Sequence, residues 1–454
     1  MQQAIQNKQK VLSKMRIIVL CVLFLNYFGS VLGQEAKLLT KAEAVSETLE
    51  QNFGIVIAKN NVAISENNAG ILNSGYLPSL TGNAGANYNV EDQDVTFQDG
   101  NTTTVTGAET TRYNASLNLN YTLFDGLGRW YDYKRLKETY NLSQLQARET
   151  IETTLLQLFT VYFEVARLSE NVNVLEETFQ NTKKRLTRAE YAFDYGQVNK
   201  LDVLNAEVDI VTDSINLMNA RQDLRNAKRD LNVVTSAADL ERDFKVDTVI
   251  QFSNRLQLET FLQEADTNNV RLLQANSSKT ISEFSYKASK SVYLPSIGLT
   301  GSYGWNEGNF PSTSFASSNT TVGLSAGVNL TWDLFDGGSG ITGVKNARIQ
   351  VENDQIFKSQ LISEVKRDIA NAEGNYNNRL AIFRLQEQNV ITALNNYDRS
   401  NERYKLGQIS SVELRQAQLN LLNAQTNKNL AKYQAKLAEL ELLQLTGQLL
   451  NTDW

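Results

Sequence analysis

The sequence predicts an internally duplicated α+β membrane protein in which each chain lends four transmembrane β-strands to a shared barrel and extends it with long coiled-coil helices. Three observations predict this. Short motifs recur at a fixed spacing along the 454 residues, long stretches contain neither Gly nor Pro, and four segments alternate apolar and small polar residues.

At the amino terminus, Lys8, Lys10, Lys14 and Arg16 precede the apolar run Ile17 to Leu25, and VLG before Gln34 supplies a cleavage site. That pattern is a secretory signal peptide over residues 1–33, too short to span a membrane as a helix. Cys21, the one cysteine, lies inside the apolar run and not at its end, which argues against lipid anchoring. Cleavage would remove four cations and no acids, taking the net charge from −6 to −10, and the chain has no histidine. An acidic exported chain without His or Cys is a poor nucleic-acid binder, and it lacks the usual general base, zinc ligand and thiol nucleophile. No nucleophile–base pair or phosphate loop is present, so no enzyme activity and no cofactor are expected.

Two of the three prolines sit in the same tetrapeptide, YLPS, at Tyr76 to Ser79 and at Tyr293 to Ser296. Proline fixes φ and lacks an N–H, so each copy marks a point where helix gives way to extended chain. LFDG follows at Leu123 to Gly126 and at Leu334 to Gly337, an offset of 211 residues. The same offset relates Phe193 to Glu207 (FDYGQVNKLDVLNAE) to Tyr404 to Gln418 (YKLGQISSVELRQAQ). The YLPS copies are offset by 217, so the first half carries six extra residues between YLPS and LFDG. A long period of this kind denotes two large units in tandem, not a short solenoid repeat.

Between YLPS and LFDG the period is two. Tyr113, Ala115, Leu117, Leu119, Tyr121 and Leu123 alternate with Asn114, Ser116, Asn118, Asn120 and Thr122; Val322 to Leu334 repeats the pattern. With the earlier strands, this predicts strand pairs over 80–90 and 112–123 and over 296–305 and 321–334, with loops at Glu91 to Thr111 and Asn306 to Thr320 lying outside the cell. Lengths of this order suit a membrane-spanning strand, and aromatic residues cluster near the strand ends. Four strands cannot close a membrane barrel, so strands must be pooled, twelve from three chains or eight from two.

After LFDG, no Gly or Pro occurs from Arg129 to Tyr195, which predicts one helix of roughly 100 Å at ~1.5 Å per residue. The second half repeats it from about Ile341 to Tyr404. Gly196 and Gly407 then reverse the chain. In the return helices Ala206, Ile210, Asp213, Leu217, Ala220, Leu224, Ala227, Leu231 and Val234 keep a heptad seam, as do Ala417, Leu421, Ala424, Lys428, Ala431, Ala435, Ala438, Leu442 and Leu445. Asp213 and Lys428 interrupt an otherwise apolar register.

The duplicated YLPS, paired strands, LFDG and hairpin signatures, spanning Lys41 to Gly447, resemble the TolC-type outer-membrane efflux proteins. The resemblance implies a homotrimer with a twelve-stranded barrel in outer-membrane lipid, continued by a helical tunnel across the periplasm of a Gram-negative bacterium. It implies a passive conduit for small molecules or proteins in a tripartite efflux or type I secretion system, with a periplasmic adaptor and an inner-membrane transporter (RND, ABC or similar). The domains are then a first repeat over 34–240, an equatorial linker over 241–257, a second repeat over 258–447 and a tail over 448–454. The hairpin tips at Gly196 and Gly407 would dock the adaptor. Family members narrow the periplasmic mouth with acids just after the hairpin glycine. Glu413 and Asp202 occupy the first matching positions, six residues beyond each Gly. Gln416 and Asn205 stand where a second acid would be. Tyr404 matches a gate tyrosine, and Gln408 replaces an arginine that locks some closed tips. Glu413 and Asp202 also fit first-turn acids favoured by the helix dipole. The alternative function is a periplasmic or surface coiled-coil scaffold, which leaves the amphipathic strands unexplained.

Overall fold

The computed structural model describes residues 37–252, 264, 265 and 267–451. The signal-peptide segment lies outside the described residues, as do 253–257 of the linker and the start of the second repeat.

The two halves are built on one plan. The strands are β1 (Leu38–Leu39), β2 (Ser79–Thr96), β3 (Thr102–Asp125), β4 (Lys245–Val246), β5 (Ser296–Asn309) and β6 (Ser318–Thr331). The helices are α1 (Lys41–Gln51), α2 (Phe53–Asn68), α3 (Gly128–Asp194), α4 (Lys200–Val234), α5 (Val270–Ser289), α6 (Ser339–Lys405) and α7 (Ser411–Leu445). Helices α3 and α6 each have 67 residues, and α4 and α7 each have 35. Both YLPS copies end in the first residue of a strand, Ser79 of β2 and Ser296 of β5. In both LFDG copies the Asp carboxylate accepts N–H groups at the start of the long helix. Asp125 takes the N–H of Arg129 at 2.9 Å, and Asp336 takes those of Gly338 at 3.0 Å and Gly340 at 2.6 Å.

β2, β3, β5 and β6 form one antiparallel sheet in that order. Its register joins the apolar residues of all four strands into one face. Leu119 pairs with Leu80 and Gly301, Leu117 with Gly82 and Tyr303, and Tyr303 in turn with Leu324. The opposite face carries Asn83, Asn114, Asn118, Ser302 and Ser325, with the Ser302 hydroxyl 2.7 Å from Asn118 Oδ1. Both outer edges, β2 and β6, are unpaired among the described residues.

Three expectations need correction. Residues 91–111, expected as a loop, are mostly ladder. β2 continues to Thr96, β3 begins at Thr102, and a register shift between Glu91 and Gln93 marks the change. Threonines supply β-branched chain there, and backbone pairing needs no apolar face. The strands expected over 296–305 and 321–334 take in the ends of the loop expected over Asn306 to Thr320, β5 running to Asn309 and β6 starting at Ser318. β6 stops at Thr331 because its last partner is Ser296 and the preceding Pro295 has no N–H to extend the ladder. The strand-like FKVDTVI contributes only Lys245–Val246, which lies parallel to Leu38–Leu39. The buried Tyr162 hydroxyl pins this pair by donating to the Leu39 carbonyl at 2.8 Å and accepting the Asp247 N–H at 2.9 Å. Burial pushes that phenol up to about 12, so it stays protonated at any physiological pH.

Helices repeat the lateral order of the strands. Above the β1–β4 pair the row runs α2, α3, α5, α6; below it the row runs α4, α3, α7, α6. Its core at mid-height joins Leu155, Phe159, Tyr162 and Phe163 of α3 to Leu231 of α4 and to Tyr433 and Leu440 of α7. The heptad seam is inside, with Ala206, Leu217, Ala227, Leu231, Ala431, Ala435 and Ala438 buried. Ala431→Glu would place a carboxylate with no partner at a contact 6 % exposed. It is expected to lower the thermal unfolding midpoint of the detergent-solubilised protein clearly more than Glu at the exposed Lys345. Equal midpoints for the two variants would refute the seam.

Candidate functional site: the paired hairpin tips

Both tips are closed by the same local geometry. At the end of α3 the Gln197 N–H bonds the Ala192 carbonyl at 2.7 Å and the Gly196 N–H bonds that of Phe193 at 2.8 Å; at the end of α6 Gln408 bonds Arg403 at 2.9 Å and Gly407 bonds Tyr404 at 3.0 Å. This double bond pattern requires a left-handed residue after the helix, and Gly196 (φ 71°) and Gly407 (φ 69°) supply it. A Cβ at either would touch nothing within 4 Å, so the backbone angle and not crowding selects glycine.

The return helices begin with matching caps. Asn199 Oδ1 accepts the Asp202 N–H at 3.1 Å. The Ser410 hydroxyl accepts the Glu413 N–H at 3.3 Å while Glu413 Oε2 accepts the Ser410 N–H at 2.8 Å, a reciprocal capping box. The bond from the Ser410 backbone, reinforced by its hydroxyl, holds the Glu413 carboxyl below its ordinary value, so Glu413 is ionised at neutral pH.

One arginine joins the two tips. Arg188, near the end of α3, donates to the Lys405 carbonyl at 2.9 Å, the carbonyl of the last residue of α6, and lies 5.6 Å over the Tyr404 ring. Beneath this clasp is a cleft of about 520 Å³ whose walls include Asp202, Tyr404, Gly407 and Ser411. Asp202 and Tyr404 thus share one cleft. Glu413 and Gln408 are exposed and do not line it. Gln416, also exposed, bonds Asn420 along its own helix at 2.9 Å and makes no hydrogen bond with Glu413. The arginine of the clasp thus stands on the helix facing α6, while the residue after Gly407 is Gln408.

Higher between the hairpins is a second link that sequence reading missed. Arg415 of α7 grips Asp213 of α4 with both terminal nitrogens, at 2.7 and 2.8 Å, while Thr182 of α3 donates to the same carboxylate at 2.6 Å. Asp209 adds a contact to Arg415 at 3.4 Å and an ion pair with Arg185. Gln418 completes the group by donating to the Thr178 carbonyl at 3.1 Å. The Asp213 side chain is 3 % exposed and that of Arg415 is 11 %. Asp213 therefore interrupts the seam in order to carry this link. Its signal in the sequence was the break in register.

A family model described as "Outer membrane efflux protein" matches residues 44–236 and 261–448, once in each half. Outer membrane protein TolC of Vibrio cholerae is 24 % identical over 386 residues, covering 84 % of either chain. Outer membrane efflux protein BepC of Brucella suis is 23 % identical over 423 residues, 93 % of this chain and 88 % of that one. Among solved structures, the Campylobacter jejuni CmeC outer membrane channel superposes with a TM-score of 0.75 at 17 % identity, covering 90 % of this chain and 86 % of that one. VceC of Vibrio cholerae gives 0.70 at 15 % identity, covering 90 % and 96 %.

Proposed function

Because the chain belongs to the outer membrane efflux protein family, we propose that three copies close into one twelve-stranded barrel and helical tube, the outer-membrane channel of a tripartite export system. The carrying observation is the lateral order. At barrel, upper-helix and lower-helix levels each chain supplies four elements in a row, with open edges at β2 and β6, α2 and α6, and α4 and α6. Closure joins each edge to its counterpart on the next chain and leaves the continuous apolar sheet face toward lipid. The Asn- and Ser-rich face then lines a polar conduit open to solutes of many kinds. A periplasmic adaptor meets the hairpin tips, and the inner-membrane pump supplies the energy. Planar-bilayer recordings of the purified protein test this. Discrete conductance steps from a trimeric species support it, and a monomeric species without conductance overturns it.

In the same reading Glu413, Asp202 and Tyr404 form the periplasmic gate. Three Glu413 carboxylates around one axis favour cations at the mouth. Glu413→Gln is expected to lower cation selectivity and relieve divalent-ion block, with the trimer intact. Since its folded pKa is depressed, the cation preference persists on acidification below the ordinary glutamate value of 4.5 and fades only as pH falls through the lower folded value. Selectivity unchanged in Glu413→Gln would return this residue to a purely local capping role.

A further inference from the structure

Next to the clasp, between α3, α6 and α7, is a cavity of about 360 Å³ lined by Lys184, Arg185, Arg188 and Lys405 together with Tyr397 and Tyr404. Its other walls are amide side chains and Leu414, and no carboxylate lines it. We propose that this cavity is a binding site for a small oxyanion of the carboxylate or phosphate class.

Four features argue for it. Arg185 is 5 % exposed, and its Nε and one terminal nitrogen have no hydrogen-bond partner, although a buried guanidinium presents five N–H donors that need acceptors. Its remaining terminal nitrogen is held by Asp209, and Lys405 is paired with Glu402 at 2.7 Å. Lys184 makes no ion pair among the described residues, and Arg188 has only a neutral carbonyl and a ring, so two of the four cations lack an acid. Burial, with Glu177 and Asp398 acting from outside the cavity, raises the Tyr397 hydroxyl above its ordinary value, keeping it a donor. Arginine forks match the oxygen pairs of carboxylate and phosphate. An anion seated here would meet the unfilled donors of this pocket and compete with the Lys405 carbonyl for Arg188, linking occupancy to the clasp between the tips.

The site is independent of the conduit reading, because binding is measured without conductance. Calorimetric titration of the full-length, detergent-solubilised protein at fixed ionic strength in chloride, with inorganic phosphate and separately with glutarate, tests it. Saturable binding is expected, weakened at least fivefold by Lys184→Gln and unchanged by Lys345→Gln on the exposed face of α6. Tighter binding of phosphate assigns the site to a free small anion; tighter binding of glutarate assigns it to an acidic side chain of a docked protein. No saturable heat with either probe, or equal affinities in wild type and Lys184→Gln, overturns the proposal.

Discussion

Arg415→Met is expected to destabilise the lower hairpins by about 3–5 kcal/mol, the usual consequence of removing one partner from a buried ion pair. The reason lies in what remains. Asp213, 3 % exposed, would keep only the Thr182 hydroxyl, and the nearby Asp209 would add repulsion where Arg415 had offset it. The effect should appear as faster proteolysis near Gly196 and Gly407 and a lower unfolding midpoint. Asp213→Leu combined with Arg415→Met is expected to recover most of the loss, because a matched apolar pair avoids desolvating either charge. A double variant no more stable than Arg415→Met alone would mean that the two charges are not each other's principal partner.

Val211→Glu is expected to abolish trimer formation while leaving the chain helical. Leu201, Leu204, Val208, Val211, Ile215 and Met218 follow one another along α4 at spacings of three and four, and all are exposed, Val211 by 58 %. This is a second stripe, distinct from the buried seam on the same helix, and none of the described residues covers it. α4 lies at one end of the lower row and α6 at the other, where Ile382, Leu385, Ile391 and Leu394 are likewise exposed. Ring closure places the stripe against the next chain's α6 by knobs-into-holes packing. A glutamate there puts one unpaired carboxylate into each of three interfaces, at several kcal/mol each. Mass photometry in detergent reads the outcome, and wild-type trimer content in Val211→Glu would remove α4 from the interface. Circular dichroism separates failed assembly from failed folding.

What was legible in the sequence is what local chemistry dictates. The glycine after each long helix, the proline before each strand pair and the scarcity of both within the long helices set element boundaries, apart from the hairpin ends, that the structure keeps to within a few residues. The outer part of the β2–β3 hairpin was hidden because residues 91–111 carry acids and threonines with no apolar alternation, and backbone hydrogen bonds leave no such trace. The Arg415–Asp213 link was hidden because its partners are 202 residues apart. The gate positions show a different difficulty. Glu413 and Asp202 stand six residues after a glycine, but that is also the third residue of a helix whose cap lies three after the glycine, where an acid serves the cap. The same spacing thus has a local cause and a functional one, and the ion-selectivity measurement separates them.

The depth of the Arg415–Asp213 link sets a mechanical scale for the tube. From Asp213 to the start of α4 at Lys200 is thirteen residues, about 20 Å of helix. An opening that hinged at the link would move a lever of about 20 Å on a shaft of about 100 Å. A tilt of about 15° displaces each tip by about 5 Å, the width of half a helix. Three such displacements would widen the mouth by more than a hydrated ion needs, with the shaft above the hinge and the membrane sheet left in place.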